Sequence, residues 1–151
     1  MLSSRFLLKL PWILFLIACG CHTVTPAFRK EGADLSQKKK AFVVVSTNSN
    51  RGFDREIVRN LKRRGLSVEA GNFATMPADA DFYVEYNDKW AWDMVMYPRY
   101  LKIDFYEARS KELLGSAEFK NSFFHTYADP PEIVDELIGR IYGEPEGRYM
   151  R

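Results

Sequence analysis

The chain has 151 residues, 46% of them hydrophobic and 15% aromatic, enough for one domain with a modest core. Its 22 lysines and arginines against 20 aspartates and glutamates give a formal charge of +2, which is not the electrostatic footprint of a nucleic-acid-binding protein. The two cysteines, Cys19 and Cys21, both follow one apolar run, so no disulfide staples a domain downstream of them.

Arg5 and Lys9 precede the run Leu10 to Ala18, and no acid lies among them. A basic segment, a short apolar segment and a small residue together describe a secretory signal peptide over residues 1–18. The run is about half the length a membrane-spanning helix needs. Its end, Leu16-Ile17-Ala18-Cys19, resembles the lipobox of bacterial lipoproteins, in which the cysteine sulfur is acylated and the cysteine becomes the first residue. Cys21 is the alternative, but Ala18-Cys19-Gly20 before it lacks the large aliphatic residue of the lipobox. The resemblance implies anchorage at Cys19. Gly20 is not the aspartate of inner-membrane retention, which implies the outer membrane, with the domain on its periplasmic face. Removing 18 of 151 residues leaves 133, and losing Arg5 and Lys9 leaves 20 basic residues against 20 acidic. A neutral mature chain offers no general attraction to an anionic membrane surface.

Residues 19–38 are polar and without periodicity, and read as a lipidated tether to a single domain over 39–151. Ala41 to Ser46 is a β-branched run, the pattern of a strand central in its sheet. Thr47-Asn48-Ser49-Asn50 offers helix-capping oxygens. Phe53, Ile57, Val58 and Leu61 then recur at helical spacing, with Arg55, Arg59, Lys62, Arg63 and Arg64 on the other face and Gly65 as the stop. Leu66 to Ala70 alternates as a short strand. After a loop over 74–80, the runs Phe82–Asn87 and Leu101–Tyr106 alternate as half-buried antiparallel strands, and Leu113–Phe119 returns after a polar turn. Asp129-Pro130-Pro131-Glu132 announces a helix start, followed by the stripe Ile133, Leu137, Ile138 and Ile141, with Gly143 ending it. The predicted order is β-α-β-β-β-β-α. This is an α+β fold with a mostly antiparallel sheet of about five strands and both helices packed on one face.

The strand Ala41–Ser46, the phrase Leu61-Lys62-Arg63-Arg64-Gly65-Leu66, then Asp79-Ala80-Asp81-Phe82-Tyr83-Val84 and the strand Tyr100–Tyr106 with its turn carry a further likeness. Together they resemble small periplasmic lipoproteins with the N-terminal type of α/β domain found in the TolB and curli-secretion lipoproteins. The resemblance implies an envelope binding or assembly role and transfers no active-site residues.

Only His22 and His125 are available as near-neutral general bases. His22 lies in the tether. His125, following Phe123-Phe124, is the one residue on which an alternative reading as a small periplasmic hydrolase or transferase can rest. There is no spaced metal-ligand cluster, no glycine-rich phosphate loop and no Gly-x-Ser-x-Gly, so neither a metal nor a cofactor is expected. Asp79 and Asp81 read as solubilising groups at a strand start.

Two of the three tryptophans fall in the segment Lys89–Tyr100. Trp90, Trp92, Met94 and Met96 share one strand parity, and Tyr97 follows. Either these residues are the covered inner face of a hairpin, or they project a surface for an envelope partner. Parity from Phe82, Val84 and Tyr86 favours burial unless a bulge intervenes, and Asp88 on that face signals a nearby sheet edge. The expectation is a non-enzymatic, lipid-anchored envelope protein whose partners are the membrane, through its lipid, and an envelope protein, with no nucleic acid.

Overall fold

The computed structural model describes residues 23–47, 51–121 and 127–145. Among them, in chain order, are strand β1 (Thr23–Arg29), strand β2 (Lys40–Val44), helix α1 (Phe53–Arg63) and strand β3 (Ser67–Gly71). The long strands β4 (Phe82–Asp93) and β5 (Val95–Glu107), strand β6 (Leu113–Lys120) and helix α2 (Pro130–Tyr142) follow. The strands form one six-stranded sheet in the order β1-β6-β5-β4-β2-β3. The α+β class with two helices holds, but the sheet is larger and more mixed than expected. β2 runs parallel to both β3 and β4, while the β4-β5, β5-β6 and β1-β6 pairs are antiparallel. Parallel neighbours need a crossover, which α1 supplies between β2 and β3.

The extra strand comes from the segment expected to be tether. Thr23-Val24-Thr25 offers only three alternating residues before Pro26, too few to register as a strand. A proline cannot donate to a ladder and is confined to edges and bulges. Here it has both, since β1 is the edge strand and its pairing with β6 shifts register between Thr25 and Phe28. Docking against β6 therefore decided a strand that the local pattern could not.

The two helices pack side by side on one face. Ile57 and Leu61 of α1 and Ile133, Leu137, Ile138 and Ile141 of α2 close over Val43, Val84, Leu101, Ile103 and Phe105 of the sheet. Gly115 on β6 makes this fit possible: a Cβ there would meet Ile141 Cγ2 at 2.6 Å and the Phe28 carbonyl at 3.2 Å. The basic face of α1 is partly committed to α2. Asn60 Nδ2 donates to Asp135 Oδ1 at 2.6 Å, Arg63 lies 3.3 Å from the same carboxylate, and Arg64 pairs with Glu144.

The helix ends differ in detail from the expected caps. α1 starts after Gly52, held at φ 88 with no side-chain cap, and residues 48–50 of the expected capping stretch lie outside the described residues. Asp129 is the N-cap of α2, but its carbonyl, not its carboxylate, receives the amides of Glu132 and Ile133, each at 3.0 Å. Gly65 and Gly143 do end their helices near left-handed geometry, at φ 85 and 80.

Phe42, Ala80, Tyr83 and Ala108 form a smaller apolar cluster on the opposite face of the sheet. What positions the candidate site is the unequal length of the strands. β2 pairs with β4 only as far as Val84, and β6 pairs with β5 only back to Tyr100. The paired stretch 90–98 is left as a two-stranded arm beyond the end of the sheet.

Candidate functional site

The arm grows from one rung of the sheet, where Lys89 opposes Tyr100, Tyr100 opposes Lys120, and Lys120 opposes Thr23. Just beyond it the β4-β5 register shifts, so that Trp90 faces Pro98 and Arg99 is the extra residue of a bulge in β5. The bulge lies in the partner strand, so β4 keeps its parity. Trp90 therefore stays on the helix-covered face, with its ring 5.3 Å from that of Phe53 at the start of α1. Its indole N–H donates to Asp88 Oδ2 at 2.6 Å, and the Arg51 guanidinium carbon lies 5.8 Å from its ring centroid. Asp88, the acid on an otherwise apolar face, thus supplies the acceptor for the indole two residues on.

Two residues further the helices no longer cover the strand. Trp92 is 71% exposed and opposes Met96 across the arm, Met94 is 81% exposed at the tip, and Val95 is 51% exposed beside it. Met94 is held at φ 58, a left-handed conformation that side-chain-bearing residues adopt at a cost and that glycine or asparagine usually supplies in hairpin tips. Tyr97 is half-buried, with Tyr127 edge-on to it at 5.9 Å; the Tyr127 hydroxyl donates to the Asp93 carbonyl at 3.4 Å. Asn121 braces the root of the arm, its amide donating to the Arg99 carbonyl at 2.9 Å and its side chain to the Pro98 carbonyl at 3.3 Å. The five predicted contact residues are therefore brought together but divided. Trp90 joins the core, Tyr97 lies against Tyr127, and Trp92, Met94 and Met96 are exposed together with Val95.

Cys19, Cys21, His22 and His125 lie outside the described residues. Among the described residues, no group of three or more His, Cys, Asp or Glu could hold a metal, and no helix is long and apolar enough to cross a membrane. Asp79 and Asp81 do more than solubilise. Asp81 Oδ2 accepts the amides of Lys39 and Lys40 at 2.7 and 2.8 Å, which holds its carboxyl below the usual range, and Asp79 pairs with the Lys40 ammonium. An aspartate one residue before a strand, set beside the first amides of its parallel neighbour, was the signal that sequence reasoning passed over. A polar cleft of about 380 Å³ at the foot of the arm is lined by Ser46, Glu85, Tyr86, Asn87, Asp88, Lys102 and Asp104. Lys102 and Asp104 pair there at 2.9 Å, and Ser116 donates to Asp104 at 2.5 Å. The bond to Asp104 holds the Lys102 ammonium above its ordinary range.

No protein-family model matches the sequence, and no curated protein sequence matches it. Among solved structures the chain is similar in fold to the PelC dodecamer from Paraburkholderia phytofirmans. A variant of PelC aligns at a TM-score of 0.51 and 13% identity over 80% of this chain and 95% of that one. A second PelC crystal form aligns at 0.51 and 12% over 80% and 94%. TolB from Acinetobacter baumannii aligns at a TM-score of 0.45 and 15% identity, over 82% of this chain and 32% of that one. At these identities the PelC likeness is one of fold alone.

Proposed function

We propose that this chain is a lipid-anchored protein of the bacterial cell envelope. It is acylated at Cys19, or at Cys21 in the alternative cut, and acts by binding or by supporting assembly rather than by catalysis. The observation that carries the reading is the arm. Trp90 locks its root to the core, while Trp92, Met94, Val95 and Met96 are held outward on a two-stranded support. Apolar and aromatic residues displayed together in this way make a contact surface, since burying them on a partner releases apolar area that water otherwise covers. The lipobox-like Leu16-Ile17-Ala18-Cys19 supplies the address, and acylation of the cysteine at two positions would provide the two hydrophobic signals that stable anchoring requires. We place the domain on the periplasmic side of the outer membrane, on the strength of Gly20 following the cysteine.

Intact mass of the membrane-extracted protein tests the anchor. The expected result is a chain beginning at Cys19 that carries acyl mass, and a Cys19→Ser variant that loses both the acyl mass and membrane association. Membrane association that survives Cys19→Ser with no acyl mass in either protein would overturn the reading. PelC, which shares the fold, is a dodecamer, so the oligomeric state of the extracted protein is the natural companion measurement.

A further inference from the structure

We propose that the tip of the β4-β5 arm is a second membrane contact, which enters the lipid interface beside the acyl anchor; this rests on the lipid-anchored reading above. The rung Thr23–Lys120–Tyr100–Lys89 runs across four strands at the root of the arm. β1 runs from this rung into the sheet, so Thr23, its first residue, stands on the side of the sheet away from Arg29. The arm leaves on that same side, because residues 90–93 of β4 and 95–99 of β5 lie beyond the rung. Strands lie about 4.8 Å apart, so with β6 alone between them β1 and β5 are roughly 10 Å apart at this level.

Reach then places the two in register. From Lys89 to Asp93 the arm extends four residues past the rung, roughly 14 Å at the rise of an antiparallel strand. From Thr23 back to Cys19 is also four residues, which span at most about 14 Å however they run. A lipid on Cys19 therefore cannot hold the sheet further from the bilayer than the arm is long, and a lipid on Cys21 would hold it closer. The arm is therefore long enough for its tip to reach the membrane surface in either case.

The chemistry of the tip suits that depth. Trp92 carries an apolar ring with one N–H donor, the kind of side chain that settles at the boundary of headgroups and acyl chains. Met94, Val95 and Met96 add apolar area around it, and all four are exposed. Asp93 within the tip keeps it at the interface rather than in the hydrocarbon. Lys89 and Arg99, both exposed at the root, stand where phosphate groups would lie.

The test uses the full processed protein, reconstituted through its own lipid into phosphatidylethanolamine–phosphatidylglycerol vesicles with and without brominated acyl chains. Two variants each leave one reporter in the processed chain: Trp90→Phe leaves Trp92, and Trp92→Phe leaves Trp90. On reconstitution the Trp92 emission should shift to the blue and lose intensity to brominated lipid, while Trp90 emission should not change. Trp92 that remains open to acrylamide and is no more quenched by brominated lipid than Trp90 would overturn the proposal. So would a Trp92 already shielded from acrylamide without vesicles in an oligomer, since a second copy of the chain would then cover the tip. Intact mass of the same sample separates the two readings. Acylated protein with an unquenched Trp92 sinks the arm contact and leaves the anchor standing; quenched Trp92 on unacylated protein does the reverse.

Discussion

Trp90 and Trp92 share a strand face and stand two residues apart, and what separates them is the position of Phe53. The first ring lies against Phe53 and donates to Asp88, whereas the second extends past the start of α1 into solvent. Truncating a ring that fills core space costs both its transfer energy and the cavity left behind. Trp90→Ala should therefore lower unfolding stability by about 2–3 kcal/mol, below the full-core figure because the ring is half-buried. Trp92→Ala, at an exposed position, should change stability by less than about 0.5 kcal/mol. Denaturant unfolding of the two variants checks this, and equal losses would show that the arm folds only as one unit. Asp81 is a second residue whose role depends on its neighbours. Nothing beside it in sequence calls for an acceptor, but the amides of Lys39 and Lys40, at the entry to β2, end on its carboxylate.

At the scale of elements, the helix layer depends on how closely α2 approaches β6. Gly115 is the point of contact, and its missing Cβ is occupied by Ile141 on one side and the Phe28 carbonyl on the other. Gly115→Ala should push α2 away from the sheet and strain β1 at once, costing roughly 1–3 kcal/mol, the range of overpacking in a filled core. The thermal midpoint should fall accordingly; an unchanged midpoint would mean that α2 gives way without loss. The pair Glu136–Arg140 at 2.7 Å, with both side chains largely buried, links successive turns of α2. Elements with strong local patterns were legible in the sequence. The stripe Ile133, Leu137, Ile138 and Ile141 could serve only as a buried helix face, and Gly65 and Gly143 stop their helices as read. β1 was not legible, because three alternating residues and a proline become a strand only when an edge is waiting for them.

For the whole molecule, charge sets the limits of stability. The carboxyls of Asp34, Asp79, Asp81 and Glu112 are held below their ordinary values, first by hydrogen bonds from Ser36, Lys40, the Lys39 amide and Lys30. A group depressed in the folded state stabilises it fully above its unfolded value, near 4, and that contribution is lost as pH falls through the folded value. At the other end, burial holds the hydroxyls of Tyr83, Tyr100, Tyr106 and Tyr142 above their usual range, so the folded state favours their neutral form. That contribution is complete below about 10 and is lost as pH rises through the folded values. Thermal midpoints taken across pH should drop below about pH 4 and again above about pH 10. Asp81→Asn should remove part of the acid-side drop, and an acid limb identical to that of the parent would remove Asp81 from this account.

The amino-acid sequence by itself determined the elements whose side-chain period is read within one segment. These are two amphipathic helices with glycine stops, five strand runs and a β4-β5 hairpin rich in tryptophan and methionine. It also carries the lipobox-like end of an apolar run, because such a signal lies in consecutive residues. Only the tertiary structure decided which strands are neighbours, that β1 closes the sheet edge, and that the sheet stops at Tyr100 while the arm continues. The division between Trp90 and Trp92 belongs there as well. Periodicity states which way a side chain points, but whether anything lies there to cover it depends on where distant elements end.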